Sequence, residues 1–180
     1  MRIISGTHKG RRITPPKNLP VRPTTDMAKE ALFNILTNNY YFEDIKVLDL
    51  FAGTGNMSFE FASRGCKEVT SVDTHSGCIS FIASKSEEWG FPIATIRMDV
   101  FKFLEKTPEK FDLIFADPPY NISADEFGLI HHIVFERDLL LADGLLVIEH
   151  AKKTDLSHLA HFNSVRKYGN SSFSFFKKKI

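Results

Sequence analysis

Val47-Leu48-Asp49-Leu50-Phe51-Ala52-Gly53-Thr54-Gly55-Asn56 decides the fold: an apolar strand runs into a glycine-rich turn, and a helix opens behind it. The two glycines allow the tight backbone and the close approach of a ligand that such a turn provides. The same alternation continues downstream. Strands are predicted over 46–51, 68–73, 94–99, 111–116 and 145–150, and helices over 56–64, 77–89, 100–105 and 124–140. The strands are near-continuous apolar runs, the pattern of a parallel sheet covered by helices on both faces. The reading is a doubly wound α/β fold with its ligands at the strand C-terminal ends, near a topological switch point. Two last strands, 164–168 and 173–177, are placed to pair antiparallel.

Upstream, 2–5 and 11–14 around Gly6 and Gly10 predict a β-hairpin, and 15–25, with four prolines, an extended segment. A helix is expected from Thr25 or Asp26, either of which suits its cap, with Ala28, Ala31, Leu32, Ile35 and Leu36 as its apolar face. This divides the chain into a basic N-terminal part, 1–25, and a main domain, 26–180. A chain of 180 residues, 43% apolar and 25% charged, is an ordinary globule large enough to bury a core. No apolar run approaches a bilayer-spanning length and the N-terminus lacks a signal-peptide core, so a cytoplasmic protein without membrane contact is expected. Cys66 and Cys78 stand outside any CxxC spacing and are read as idle thiols. The seven histidines are scattered, His131-His132 are read as surface residues, and no metal site is expected. The net charge of +1 hides a basic start, with Arg2, Lys9, Arg11, Arg12, Lys17 and Arg22 and no acid before Asp26. Lys177-Lys178-Lys179 reads as a solubilising tail.

Asp117-Pro118-Pro119-Tyr120 follows the strand over 111–116. The prolines stop the ladder and leave a stiff turn presenting a carboxylate, proline carbonyls and an aromatic face. That set suits a planar group bearing an exocyclic NH2: Asp117 and the Pro118 carbonyl accept its N–H bonds, and Tyr120 stacks on it. Asp49 sits badly beside a pyrophosphate and well beside a cation, which points to the sulfonium and amine of S-adenosylmethionine. Position 58 is Ser where a dinucleotide fingerprint has Gly. Asp73 ends the second strand, where an acid binds ribose hydroxyls. Asp99, or the amide of Val100, is placed to read adenine. The structural alternatives are that Asp73 and Asp99 are helix caps, Gly53-Thr54-Gly55 a plain turn, and the Asp-Pro-Pro-Tyr segment a stiff loop.

Over nearly its whole length the chain resembles the bacterial RsmD family of 16S ribosomal RNA guanine-N2 methyltransferases. The resemblance rests on Arg2-Ile3-Ile4-Ser5-Gly6 with Lys9-Gly10-Arg11, on Arg22-Pro23-Thr24-Thr25-Asp26 and Glu30-Ala31-Leu32-Phe33-Asn34, and on both motifs above. Ser63-Arg64-Gly65 and Lys167-Tyr168-Gly169-Asn170-Ser171 add to it. It implies a Rossmann-like, seven-stranded S-adenosylmethionine-dependent methyltransferase sheet with an N-terminal β-hairpin extension. The implied substrate is one guanine N2 in small-subunit ribosomal RNA, free or within an assembling 30S particle with its ribosomal proteins. The implied cofactor set is Asp49, Phe51, Ala52, Gly53, Thr54, Gly55, Asp73, Asp99 and Val100, with Thr24. The implied catalytic set is Asp117, Pro118, Pro119 and Tyr120, and Arg2, Lys9, Arg11, Arg12 and Arg22 are expected on RNA phosphate. The chain departs from the family after Asp26, where Met27-Ala28-Lys29 keeps one of two usual basic residues. It departs again at Thr74-His75-Ser76-Gly77-Cys78 and at Lys85-Ser86.

Two alternatives stay open. One is an amino-methyltransferase acting on adenine N6 or protein glutamine, though those families favour Asn-Pro-Pro-Tyr or carry extra recognition domains. The other is a catalytically silent RNA-binding module of the same fold. A monomer is expected, because no apolar stripe is left over once the core is assigned.

Overall fold

Six strands running one way and a single reversed one, β7, form a single sheet in the order β3-β2-β1-β4-β5-β7-β6 in the computed structural model, which describes residues 1–178. In chain order the elements are α1 (Asp26–Thr37), β1 (Lys46–Leu50), α2 (Asn56–Ser63), β2 (Glu68–Asp73), α3 (Ser76–Trp89), β3 (Ile93–Arg97) and α4 (Val100–Lys106). Then come β4 (Phe111–Ala116), α5 (Ala124–Glu136), β5 (Leu140–Ala151), β6 (Phe162–Tyr168) and β7 (Ser171–Lys177). The doubly wound reading therefore holds. The switch point lies between β1 and β4, where consecutive crossovers leave in opposite directions.

Period-2 alternation sends the central strands' side chains to two cores. Leu48, Leu50, Ile114 and Ile148 pack with Leu104, Ile130 and Val134 of α4 and α5. Val47, Leu113, Phe115 and Val147 pack with Leu32, Phe33 and Phe61 of α1 and α2. Thr25 caps α1 by accepting from the Ala28 amide at 3.2 Å. The buried face of α1 is Ala28, Lys29, Leu32, Phe33 and Leu36. Phe33 thus replaces the expected Ala31 and Ile35 at its centre, because its ring meets Phe61 edge-on at 4.7 Å. Burying Leu32 and Phe33 contributes about 1.5–3 kcal/mol each.

Every residue of α2 is buried, polar ones included. The N-terminal segment is the reason. Ile3 and Ile13 pack on Phe59 and Ile82, and the Ile4 and Ser5 amides donate to the Glu60 carboxylate at 2.8 and 3.4 Å. Those donors are lost to any ladder, so the expected hairpin strands reduce to one antiparallel bridge, Arg2 with Arg12. Residues 15–25 then run as an irregular strap. Leu19 lies against Gly77, Val21 against Gly53, and Thr24 donates to Glu149 at 2.7 Å.

Gly6 docks on α2 with no room to spare. A Cβ there would lie 1.9 Å from the Ser63 carbonyl oxygen, and φ is +91°. The clash is with backbone, which cannot swing aside. Gly6→Ala is expected to undock the N-terminal loop, shifting the docked–undocked balance on the order of tenfold to a hundredfold. Protease cleavage rates within 1–14, compared with wild type, measure this; equal rates refute it.

Two boundaries differ most from expectation. α5 ends at Glu136 rather than 140, because Asp138 turns left-handed (φ 53°). β5 then starts five residues early, at Leu140, which stands opposite Phe111, with a bulge before Leu145 meets Leu113. His131 is buried and not at the surface, its Nε2 lying 2.7 Å from the Ala160 carbonyl; His132 is exposed. Of the expected basic tail, Lys178 pairs with Asp138 at 2.7 Å, and Lys179 lies outside the described residues. Both cysteines are free and buried. No helix among the described residues is long and apolar enough to cross a membrane.

Candidate active site

Leu50 of β1 stands opposite Ala116 of β4, so the glycine-rich turn and the Asp-Pro-Pro-Tyr turn leave adjacent strands side by side. The Asp117 amide donates back to the Leu50 carbonyl at 3.4 Å. The β1 turn is strained. Phe51 is left-handed at φ 57°, as are Gly53 and Gly55 at 56° and 85°; an L-residue such as Phe51 holds this only when its surroundings force it. Here the Phe51 ring packs edge-on against Phe101, and the Ala52 amide donates to Val72 of β2.

Asp73 ties the turn down from β2. Its carboxylate accepts from the Gly53 amide and from the His75 amide, both at 2.9 Å. It is not the cap of α3; the His75 ring fills that role by accepting from Cys78. Asp99 is exposed and caps α4 through the Lys102 amide at 3.0 Å, and Val100 is buried. Thr54 is buried, its hydroxyl donating to the Met1 sulfur at 3.3 Å. Thr24 is buried between Glu149 and Asn56, whose amide donates to its carbonyl at 3.2 Å.

Asp49 is 1% exposed and accepts from Ser58 at 2.5 Å, with Ser71 continuing the chain of hydroxyls. Burial pushes its carboxyl up to about 7, with a smaller push from Asp73 and an opposing pull from the Ser58 bonds. Asp117 is held well above the ordinary carboxylate range, first by its crowded setting, then by the Glu149 and Asp49 carboxylates. Glu149 is raised by burial, against hydrogen bonds from Thr24 and Ser171. Among the described residues, no lysine, arginine or histidine forms an ion pair with Asp49, Asp73, Asp117 or Glu149. Acids gathered without a cation of their own suit a ligand that brings one, so this donor set fits the sulfonium and ammonium of S-adenosylmethionine. Pro118 is buried, while Pro119 and Tyr120 are exposed.

The basic residues are placed unevenly. Arg2 pairs with Asp26 at 3.2 Å and Arg11 covers the Trp89 ring at 5.4 Å. Lys9 and Arg12 are exposed near the N-terminal loop, and Arg22 lies over the Tyr120 ring at 5.5 Å. Sequence reasoning missed Glu149, whose signal was an acid alone in the apolar run of β5. It also missed Asn56, Ser58 and Glu60, polar residues buried in α2.

A family model described as "Conserved hypothetical protein 95" matches residues 1–177. The Haemophilus influenzae protein named ribosomal RNA small subunit methyltransferase D is 30% identical over 162 residues, covering 87% of this chain and 81% of that one. The chain belongs to the RsmD family. The Bacillus subtilis protein YlbH, at 32% identity over 187 residues, covers 99% of this RsmD-family chain and is itself covered to 100%. A solved hypothetical protein of Thermus thermophilus matches with a TM-score of 0.84 at 26% identity, over 99% of each chain. The 16S rRNA N2 G1207 methyltransferase of the same organism, solved with AdoMet and guanosine, matches at TM-score 0.71 and 20% identity, over 89% of this chain and 45% of that one. At that identity the likeness shows the fold alone, which for the RsmD-family chain is a Rossmann-like methyltransferase fold.

Proposed function

We propose that this RNA methyltransferase transfers a methyl group from S-adenosylmethionine to the exocyclic N2 of a guanine in small-subunit ribosomal RNA. The observation that carries the reading is the Asp117-Pro118-Pro119-Tyr120 turn. An acceptor carboxylate and an exposed ring stand beside buried acids that no cation among the described residues pairs with. The methyl donor supplies an electrophilic methyl on a sulfonium. Asp49, Phe51, Ala52, Gly53, Gly55 and Asp73 would hold it at the β1 and β2 ends. Val100 and Asp99 would line the adenine side, where the Asp99 carboxylate is already engaged with α4. Thr24 and Thr54 would act by shaping the walls, since their hydroxyls are bonded within the chain.

A guanine amine is a weak nucleophile because its lone pair is spread into the ring. Asp117 and the Pro118 carbonyl accept its two N–H bonds and turn the lone pair outward, and Pro119 keeps the turn stiff. The charge that develops on nitrogen is stabilised by the Asp117 carboxylate. Tyr120 stacks on the base, worth about 1–3 kcal/mol. A paired guanine must first leave its stack, which costs a few kcal/mol. Lys9, Arg11, Arg12 and Arg2 would meet RNA phosphate, so affinity falls with salt. An assembling 30S particle is the proposed substrate form and a monomer the proposed working state.

The test is transfer of labelled methyl to small-subunit particles lacking the modification, followed by nucleoside analysis. Label in N2-methylguanosine supports the proposal, and label in N6-methyladenosine or protein overturns the substrate. A pH dependence accompanies it. Asp49 titrates near 7, and a cationic ligand favours its ionised form, so cofactor affinity should rise about tenfold from pH 6 to pH 8. Calorimetric titration measures this; Asp49→Asn should flatten the profile, and a flat wild-type profile counts against it.

A further inference from the structure

We infer that Arg22 is a second jaw on the target base, closing on it from the side opposite Tyr120. The inference rests on reading Tyr120 as the ring on which that base stacks, and it gives Arg22 a different task from the phosphate contact expected of it.

Tyr120 is 70% exposed, and the Arg22 guanidinium carbon lies over its ring, 5.5 Å from the centroid. Among the described residues Arg22 has no ion pair and no side-chain hydrogen bond, in contrast to Arg2, which Asp26 holds. The side chain is free, but the backbone that carries it is mounted on both sides. Val21 packs against Gly53 of the glycine-rich turn, its Cγ1 3.1 Å from where a Cβ would stand. Thr24 is fastened to Glu149 at 2.7 Å and to Asn56 at 3.2 Å. The strap thus fixes the root of Arg22 relative to β1, β4 and β5, the strands that present the proposed reacting groups.

The spacing decides what the jaw does. A base between two planar groups needs a contact of about 3.5 Å on each face, about 7 Å in all. The present 5.5 Å is short of this by roughly 1.5 Å, a distance that a rotamer change of a long side chain supplies without moving the strap. The guanidinium covers the ring in the free protein and withdraws just far enough to admit a base. Planarity is then the property that matters. A guanidinium stacks on a nucleobase face, and an ammonium of equal charge does not. A phosphate contact depends instead on charge and is served by either.

The experiment uses the full-length protein, labelled S-adenosylmethionine and small-subunit particles lacking the modification, with kcat/KM measured from low to moderate salt. Arg22 and Tyr120 are exposed, so their variants should fold; thermal unfolding and cofactor titration check this. Arg22→Lys should be as slow as Arg22→Ala, about tenfold to a hundredfold below wild type, while Arg22→Phe recovers most of the loss. The slope of log kcat/KM against log salt should stay that of wild type in all three. Arg22→Lys at wild-type rate, with a slope reduced by about one in Arg22→Ala, makes Arg22 a phosphate contact and overturns the jaw. Arg22→Ala at wild-type rate overturns it too. Tyr120→Ala separates the two levels. If it is slow while Arg22→Lys is fast, only the jaw fails; if it is fast, the stacking reading of the site fails with it.

Discussion

Asp117→Asn is expected to lower methyl transfer by about a hundredfold to ten-thousandfold while making the free protein more resistant to heat at pH 8. The amide keeps the shape of the turn and the accepting oxygen but loses the negative charge that stabilises the nitrogen as it reacts. The gain in stability comes from the same charge. In the unfolded chain Asp117 ionises near 4; in the fold its crowded setting and the carboxylates of Glu149 and Asp49 resist ionisation. A carboxyl raised in this way destabilises the fold as pH climbs above about 4, and most above its folded value. Asn has no such dependence. The variant's advantage should therefore be absent near pH 4 and largest at pH 8, roughly 2–4 °C for each kcal/mol of repulsion relieved. Unfolding curves at both pH values, with and without cofactor, decide the matter. An advantage equal at both refutes the electrostatic account, and retained activity refutes the catalytic one.

Glu60→Ala is expected to have the largest effect on stability of any single change outside the sheet, about 3–5 kcal/mol. Lys29 and Glu60 are both essentially inaccessible, with Nζ and Oε1 3.8 Å apart. The Lys29 ammonium also donates to Asn56 at 2.9 Å and to the Arg2 carbonyl at 2.5 Å, and burial already lowers its affinity for a proton. Removing the carboxylate leaves that ammonium buried with neutral partners only. It also strips the Ile4 and Ser5 amides of their acceptor. The two consequences separate in the double variant Lys29→Met/Glu60→Leu. Its melting temperature should return part of the way: the Lys29 and Glu60 charges are gone, but Arg64, 3.7 Å from the Glu60 carboxylate in the wild type, still loses its partner. Its N-terminal loop should stay undocked and its activity on small-subunit particles low, because the amides still lack a partner. A double variant with full activity would mean that Glu60 serves stability alone.

The parts of the site legible in the sequence were those carried by short stretches of chain. A strand, Gly53-Thr54-Gly55 and a helix declare a ligand turn within ten residues, and Asp117-Pro118-Pro119-Tyr120 declares an acceptor and a ring within four. What stayed hidden depends on partners far away in the chain. Thr24 and Glu149 are 125 residues apart, and Ile4 and Glu60 are 56. No periodicity reports such a pairing. The buried polar residues of α2 are the seat of the N-terminal segment, a role that shows only once the two are brought together. The end of α5 misled for a related reason. Leu139 and Leu140 continue a helical apolar period, yet the left-handed Asp138 turns the chain into β5, where Phe111 is the neighbour of Leu140.

The order β5-β7-β6 sets a timetable for synthesis. β7 is made after β6 yet lies between it and β5, so β6 has no seat in the sheet until β7 has left the ribosome. Phe176 completes the core beneath α4 and α5, and Phe173 and Phe175 complete the one beneath α1 and α2. Each core therefore lacks a wall until nearly all of the chain has emerged, which takes about ten to forty seconds at bacterial elongation rates. From the emergence of β5 until β7 follows it, the nascent protein shows the edge of β5 to the cell. An enzyme that acts on ribosomal RNA would itself fold only as it leaves a ribosome.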